Sequence, residues 1–134
     1  MQGLGRHLLL ELFDCDLKII GDLEMVRAVL IESAKHARVT VVDAVFHEFN
    51  PHGITGVVVI AESHISIHTW PEHFYAAADI FTCGNKAMPH IAATYIAKEF
   101  RAKRTSVMEI VRPISQVQRS AIDTVPPSCE DVAC

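Results

Sequence analysis

The stretch "ITGVVVIAESHISIHTW", residues 54–70, constrains this chain more than any other. Residues 54–62 are apolar and β-branched, as in a buried strand, and residues 63–70 alternate strictly between polar and apolar. A period of two marks a strand with one covered and one open face. It puts His64, Ser66, His68 and Trp70 on one side of a sheet and Ser63, Ile65 and Ile67 on the other. Strands commonly run out into turn residues. Here the apolar run ends at Glu62–Ser63 and is followed by His64, His68, Trp70, Glu72 and His73, a concentration of chemistry that calls for a reason.

The same two periodicities organise the rest. Residues 4–14 form an apolar run that reads as a strand, although "RHLLLEL" also suits the start of a helix. Asp22 is an N-cap for a helix over 23–37, where Leu23, Val26, Leu30, Ile31 and Ala34 recur at helical spacing. Strands are expected at 39–49 and 54–62, joined by the turn residues "NPHG", and again at 63–70, 75–83 and 105–111. Gly84 and Asn85 interrupt the chain before a second helix at about 87–102. Strands joined mainly by hairpins, with two helices, predict an α+β two-layer sandwich: an antiparallel sheet with helices packed on one face. If 63–69 pairs with 76–83 around "WPEHF", Cys83 falls close to Ser63.

At 134 residues the chain suits one domain, taken as 1–112, with a weakly ordered tail at 113–134. A net charge of −4 gives no basic footprint for nucleic acid. The short apolar start is broken by Glu11 and lacks a cleavage site, so neither a signal peptide nor a membrane span is expected. Cys15, Cys83, Cys129 and Cys134 form no CxxC pair and read as reduced thiols of a cytoplasmic protein.

Singly, the unusual residues have ordinary roles. Ser63 suits a turn or cap, Cys83 a small buried hydrophobe, and Trp70 a core or interface position. His64, His68 and His73 at i, i+4 and i+9 are open to metal ligation, though no HExxH or compact carboxylate set accompanies them.

Together they form a pattern. "LGRHLLLELFDCD", "HEFNPHGITGVVVIAESHISIHTWPEHFYAAADIFTCG" and "KRTSVMEIVRP" resemble the prokaryotic S-adenosylmethionine decarboxylase proenzymes from about residue 3 to residue 112. The resemblance implies a pyruvoyl group made from Ser63 by autocatalytic scission of the Glu62–Ser63 bond. It implies His68 and Thr55 as processing groups, Thr55 standing where relatives often carry Ser, and Cys83 as the proton donor in decarboxylation. Glu72 aligns with a glutamate that holds the ribose hydroxyls of S-adenosylmethionine, and Phe49 with an aromatic that stacks on adenine. Trp70 adds a second aromatic surface for a purine or a sulfonium.

The chemistry fits these residue types. A serine hydroxyl held against the preceding carbonyl converts amide to ester, and a near-neutral base such as histidine removes the α-proton so that the ester is eliminated. The carbonyl left behind after loss of ammonia is an electron sink for CO₂ release. His68 and Ser63 lie on opposite faces of one strand, so a twist, a bulge or a second protomer is required to bring them together. A homodimer with sites at its interface meets that requirement. Three other readings share the sequence: a pyruvoyl-dependent arginine decarboxylase, a processing-dead binding module, and a histidine metal site. Intact Ser63, His68, Thr55 and Cys83 disfavour the second.

Overall fold

The computed structural model describes residues 3–114. Residues 115–134, which hold Cys129, Cys134 and most of the expected tail, lie outside the described residues. The elements run β1 (Gly5–Phe13), α1 (Leu17–Ile20), α2 (Leu23–His36), β2 (Thr40–Glu48), β3 (Ile54–Ala61) and β4 (Ser63–Trp70). A 3₁₀ turn (Pro71–His73), β5 (Tyr75–Cys83), α3 (Pro89–Glu99) and β6 (Arg104–Arg112) follow. The strands form one six-stranded sheet in the order β2-β3-β4-β5-β1-β6, with all neighbours antiparallel.

Alternation decides which face is covered. Leu8, Leu10 and Leu12 of β1, Ile54, Val58 and Ile60 of β3, Ile65 and Ile67 of β4, and Ala76, Ala78 and Ile80 of β5 are all buried. They meet Val26, Val29, Leu30 and Ala34 of α2 and Ala92, Ala93 and Ile96 of α3 in one core. Among the described residues no helix covers the opposite sheet face, and there the chain places His7, His64, His68, Trp70 and Asp79. The two-layer α+β expectation holds, and residues 4–14 settle as strand rather than helix.

Local chemistry sets the helix ends. Asp22 caps α2 by accepting a hydrogen bond from the Met25 amide at 3.0 Å, and Lys35 and His36 sit at the negative end of the helix dipole. α1 is too short to show periodicity in the sequence; Asp16 caps it through the Lys18 amide at 2.9 Å. Pro89 opens α3 at a position where a missing N–H costs nothing.

Leu10 is 1 % exposed in the core on β1, the strand packed against α3, so Leu10→Ala is expected to lower unfolding stability by about 3 kcal/mol. Lys35→Ala removes only the exposed pair with Glu32 and is expected to stay within about 0.5 kcal/mol. Urea unfolding monitored by circular dichroism measures both.

Candidate active site

The switch from β3 to β4 is the tightest reversal in the fold. Ile60 pairs directly with Ser63, leaving only Ala61 and Glu62 to make the turn. Two-residue hairpins are normally built from Asn-Gly, Asp-Gly or Gly-X, which supply positive φ without steric cost. Neither loop residue here is of that kind, and Ser63 takes φ +113°. A side chain at that φ clashes with its own backbone, at a cost of about 1–3 kcal/mol that the surrounding ladder must hold in place. The strain sits on the residue whose hydroxyl neighbours the Glu62 carbonyl.

β5 ends beside this turn. Ser63 pairs with Thr82, not Cys83, because the turn after β4 closes on the pair Trp70–Tyr75 and shifts the register by one residue from the symmetric expectation. Cys83 follows directly, half-buried and free. Ala61, Glu62, Cys83, Gly84, Asn85 and Lys86 line a cavity of about 510 Å³, so Glu62 and Cys83 share one space. Gly84, at φ +81°, turns the chain away from it.

The other expected residues gather at the opposite end of the sheet. His68 pairs with Thr55 across β4 and β3, and its Nδ1 shares a hydrogen bond with the Thr55 hydroxyl at 2.9 Å. Glu72, in the 3₁₀ turn, meets Nε2 of His52 at 2.8 Å, and both line a cavity of about 640 Å³ with Lys18, Asp22 and Phe74. Phe49 is exposed and packs edge-on to His47, at 4.5 Å between ring centroids. Trp70 stacks on Tyr75 at 5.3 Å, and Tyr75 on Phe13 at 5.5 Å. Ser63 and Trp70 bound β4, so these two groups lie roughly 20 Å apart along the strand. One protomer does not unite them.

Between the two ends lies a cluster on the open face. The rings of His7 and His64 flank Phe81 in one cross-strand row, and both reach one step along to Asp79. Nε2 of His7 is 2.6 Å and Nε2 of His64 2.8 Å from the same oxygen, Oδ2 of Asp79, and the Ser66 hydroxyl donates to Oδ1. Burial pushes the Asp79 carboxyl upward, but hydrogen bonds from Ser66, His64 and His7 outweigh it and hold the group below its ordinary range. At the Trp70 end of β5, Tyr75 is pushed up to about 12 by burial and by donating to Glu11. Cys15, by contrast with Cys83, is buried away from this face, and burial together with Asp14 raises its thiol to about 11.

A family model of S-adenosylmethionine decarboxylase matches residues 6–113. The chain belongs to the S-adenosylmethionine decarboxylase family. It is 54 % identical over 114 residues to an S-adenosylmethionine decarboxylase proenzyme of Thermodesulfovibrio yellowstonii, covering 85 % of this chain and 84 % of that one. A proenzyme of the same name from Pyrococcus abyssi is 43 % identical over 125 residues, covering 93 % and 90 %. The crystal structure of the adenosylmethionine decarboxylase from Aquifex aeolicus superposes with a TM-score of 0.78 at 39 % identity, over 87 % of this chain and 96 % of that one. A Trypanosoma brucei decarboxylase monomer shares the fold at a TM-score of 0.54 and 18 % identity, over 89 % of this chain and 51 % of that one. None of these relatives supports arginine as the substrate.

Within this decarboxylase fold, the histidines spaced i, i+4 and i+9 do not converge. His64 joins the Asp79 cluster, His68 binds Thr55, and His73 lines a separate cavity with Phe13, Trp70 and Tyr75. Among the described residues, His7, His64 and Asp79 form the one group whose ligand atoms all lie within 4.8 Å of one another. Sequence reasoning passed over His7, Asp79 and His52. Asp79 did carry a signal, as the only charge within the apolar strand "YAAADIFTC".

Because the folded Asp79 carboxyl titrates below the ordinary value of 3.8, its contribution to stability is complete above that pH and is lost as pH falls through the folded value. The stability difference between wild type and Asp79→Asn is therefore expected to shrink steadily below about pH 4. Urea titrations from pH 7 to pH 3 measure it.

Proposed function

We propose that the chain is a proenzyme that cuts itself between Glu62 and Ser63 and then decarboxylates S-adenosylmethionine with a pyruvoyl group formed at position 63. The observation that carries this reading is Ser63, held at φ +113° directly after a two-residue turn, with the preceding Glu62 sharing a cavity with Cys83. The serine hydroxyl attacks the Glu62 carbonyl, the 62–63 amide becomes an ester, and the new free amine relieves the backbone constraint. Removal of the Ser63 α-proton by His68 expels the Glu62 carboxylate; water then releases ammonia and leaves a ketone. Thr55, bonded to Nδ1 of His68, holds that ring in position.

The surroundings of position 63 fit such a group: Glu62, the residue before it, and Cys83 line one cavity of about 510 Å³. When present, the pyruvoyl carbonyl accepts the electron pair released as CO₂ departs. Cys83 holds a proton at Sγ for the substrate α-carbon. Glu72 accepts hydrogen bonds from the ribose diol, and Phe49 and Trp70 offer faces for the purine and the sulfonium.

The separation of these residues on one protomer supports a homodimer. A twofold axis through the open sheet face exchanges the two ends, bringing Ser63 and Cys83 of one copy to His68, Thr55, Glu72 and Phe49 of its partner. That face presents Val45, Val57, Val59, Trp70 and Met108 to solvent, an apolar surface suited to a second copy. A cytoplasmic setting fits the free thiols of Cys15 and Cys83, and no helix among the described residues is long and apolar enough to cross a membrane.

Intact-mass spectrometry is expected to find two fragments split between residues 62 and 63, the second without a free amine, and a single uncut species for Ser63→Ala. Persistence of the wild-type chain as one species would overturn the proposal. Ser63→Ala and His68→Ala chains each remain whole alone; co-refolded, the His68→Ala chain is expected to be cut, because one mixed site holds an intact Ser63 and an intact His68. No cleavage in the mixture would place the site within one protomer.

A further inference from the structure

Scission at 62–63 turns position 63 into a chain terminus, and a strand that begins at its own free end frays unless something ties it down. Backbone ladders to β3 and β5 flank the start of β4, so what remains to be fixed after scission is the position of its first side chains beside Cys83.

The first side chain after the cut is His64, whose Nε2 donates to Oδ2 of Asp79 at 2.8 Å. Ser66, two residues on, donates to the other oxygen of the same carboxylate. Asp79 sits in the middle of β5, flanked by β4 on one side and β1 on the other, and His7 of β1 braces it at 2.6 Å. The carboxylate thus joins three strands, and its two bonds to β4 fall within four residues of position 63. Phe81 walls the cluster, with its ring 5.1 Å from that of His7 and 6.0 Å from that of His64. An ionised acceptor makes each of these hydrogen bonds charge-assisted, and such bonds are about twice as strong as neutral ones.

We propose that Asp79 is a positioning residue for position 63, acting through His64: before scission it keeps Ser63 in its strained conformation, and afterwards it anchors the new terminus beside Cys83. The proposal rests on the self-processing reading and adds to it a tether outside the reacting atoms. Loss of one charge-assisted hydrogen bond at this tether is expected to slow the reaction it aligns by about tenfold.

The test compares the 62–63 cleavage rate, and kcat and KM of the cleaved enzyme, in His64→Ala, His64→Gln, Asp79→Asn, the His64→Ala/Asp79→Asn double variant and His7→Ala. His64→Ala and Asp79→Asn are each expected to slow cleavage and lower kcat about tenfold with KM within twofold, and the double variant to be no slower than either. His64→Gln, which keeps an N–H donor at similar reach, is expected to recover most of the rate. His7→Ala removes a bond to the same carboxylate and the edge contact with His64 but leaves both hydrogen bonds from β4 in place, and is expected to lower the melting temperature while changing cleavage by less than threefold. Wild-type rates in His64→Ala and Asp79→Asn overturn the proposal, as do additive effects in the double variant or a His7→Ala chain as slow as His64→Ala. A wild-type chain that is never cut overturns the Ser63 reading itself. Normal wild-type cleavage with unaffected tether variants overturns the tether alone.

Discussion

The site depends on a turn made with the wrong residues. β3 and β4 are joined by two residues, and a connection that short demands a left-handed backbone somewhere near its corner. With Ala61 and Glu62 in the loop and no glycine to absorb the demand, it falls on Ser63 at φ +113°. Hydrogen-bonded ladders on both sides fix Ser63 against Ile60 and Thr82, so the conformation has no local route to relax. A turn that only had to reverse the chain would use Asn-Gly. This one places a strained backbone at a serine, beside the carbonyl that the proposed self-processing would attack.

Placement of the turn on an antiparallel sheet then sorts the remaining chemistry. The faces alternate, so Ile65 and Ile67 hold β4 to the helices while His64, Ser66 and His68 stand on the open side. The core anchors the strand and leaves the opposite face free to be polar. Asp79 is stable there because Ser66, His64 and His7 satisfy it and outweigh the burial that by itself pushes its carboxyl upward. Glu72 is similarly oriented by His52 from the neighbouring hairpin.

Much of this was legible in the sequence. The alternation in "SHISIHTW" gave the strand and both of its faces, and Asp22 ahead of a helical apolar stripe gave the start of α2. The resemblance carried by "ESHISIHTWPE" and "FTCG" gave the family. Other features were hidden for physical reasons. The turn at Ala61–Glu62 has no glycine, proline or asparagine, so nothing in composition marked it. α1 has four residues, fewer than a helical pattern needs to repeat. The β4–β5 register was one residue from symmetric, because the loop after Trp70 includes a 3₁₀ turn whose residues sequence symmetry cannot apportion.

By itself the sequence determined the elements, the covered and open faces, and the residue types available for chemistry, because periodicity and side-chain character are local properties. Only the tertiary structure decided which distant residues meet: His7 with Asp79 across 72 positions, Thr55 with His68, His52 with Glu72, and Glu62 with Cys83 around one cavity. Strand order and register set those meetings. Both depend on how whole strands pair and pack rather than on any short stretch of the chain.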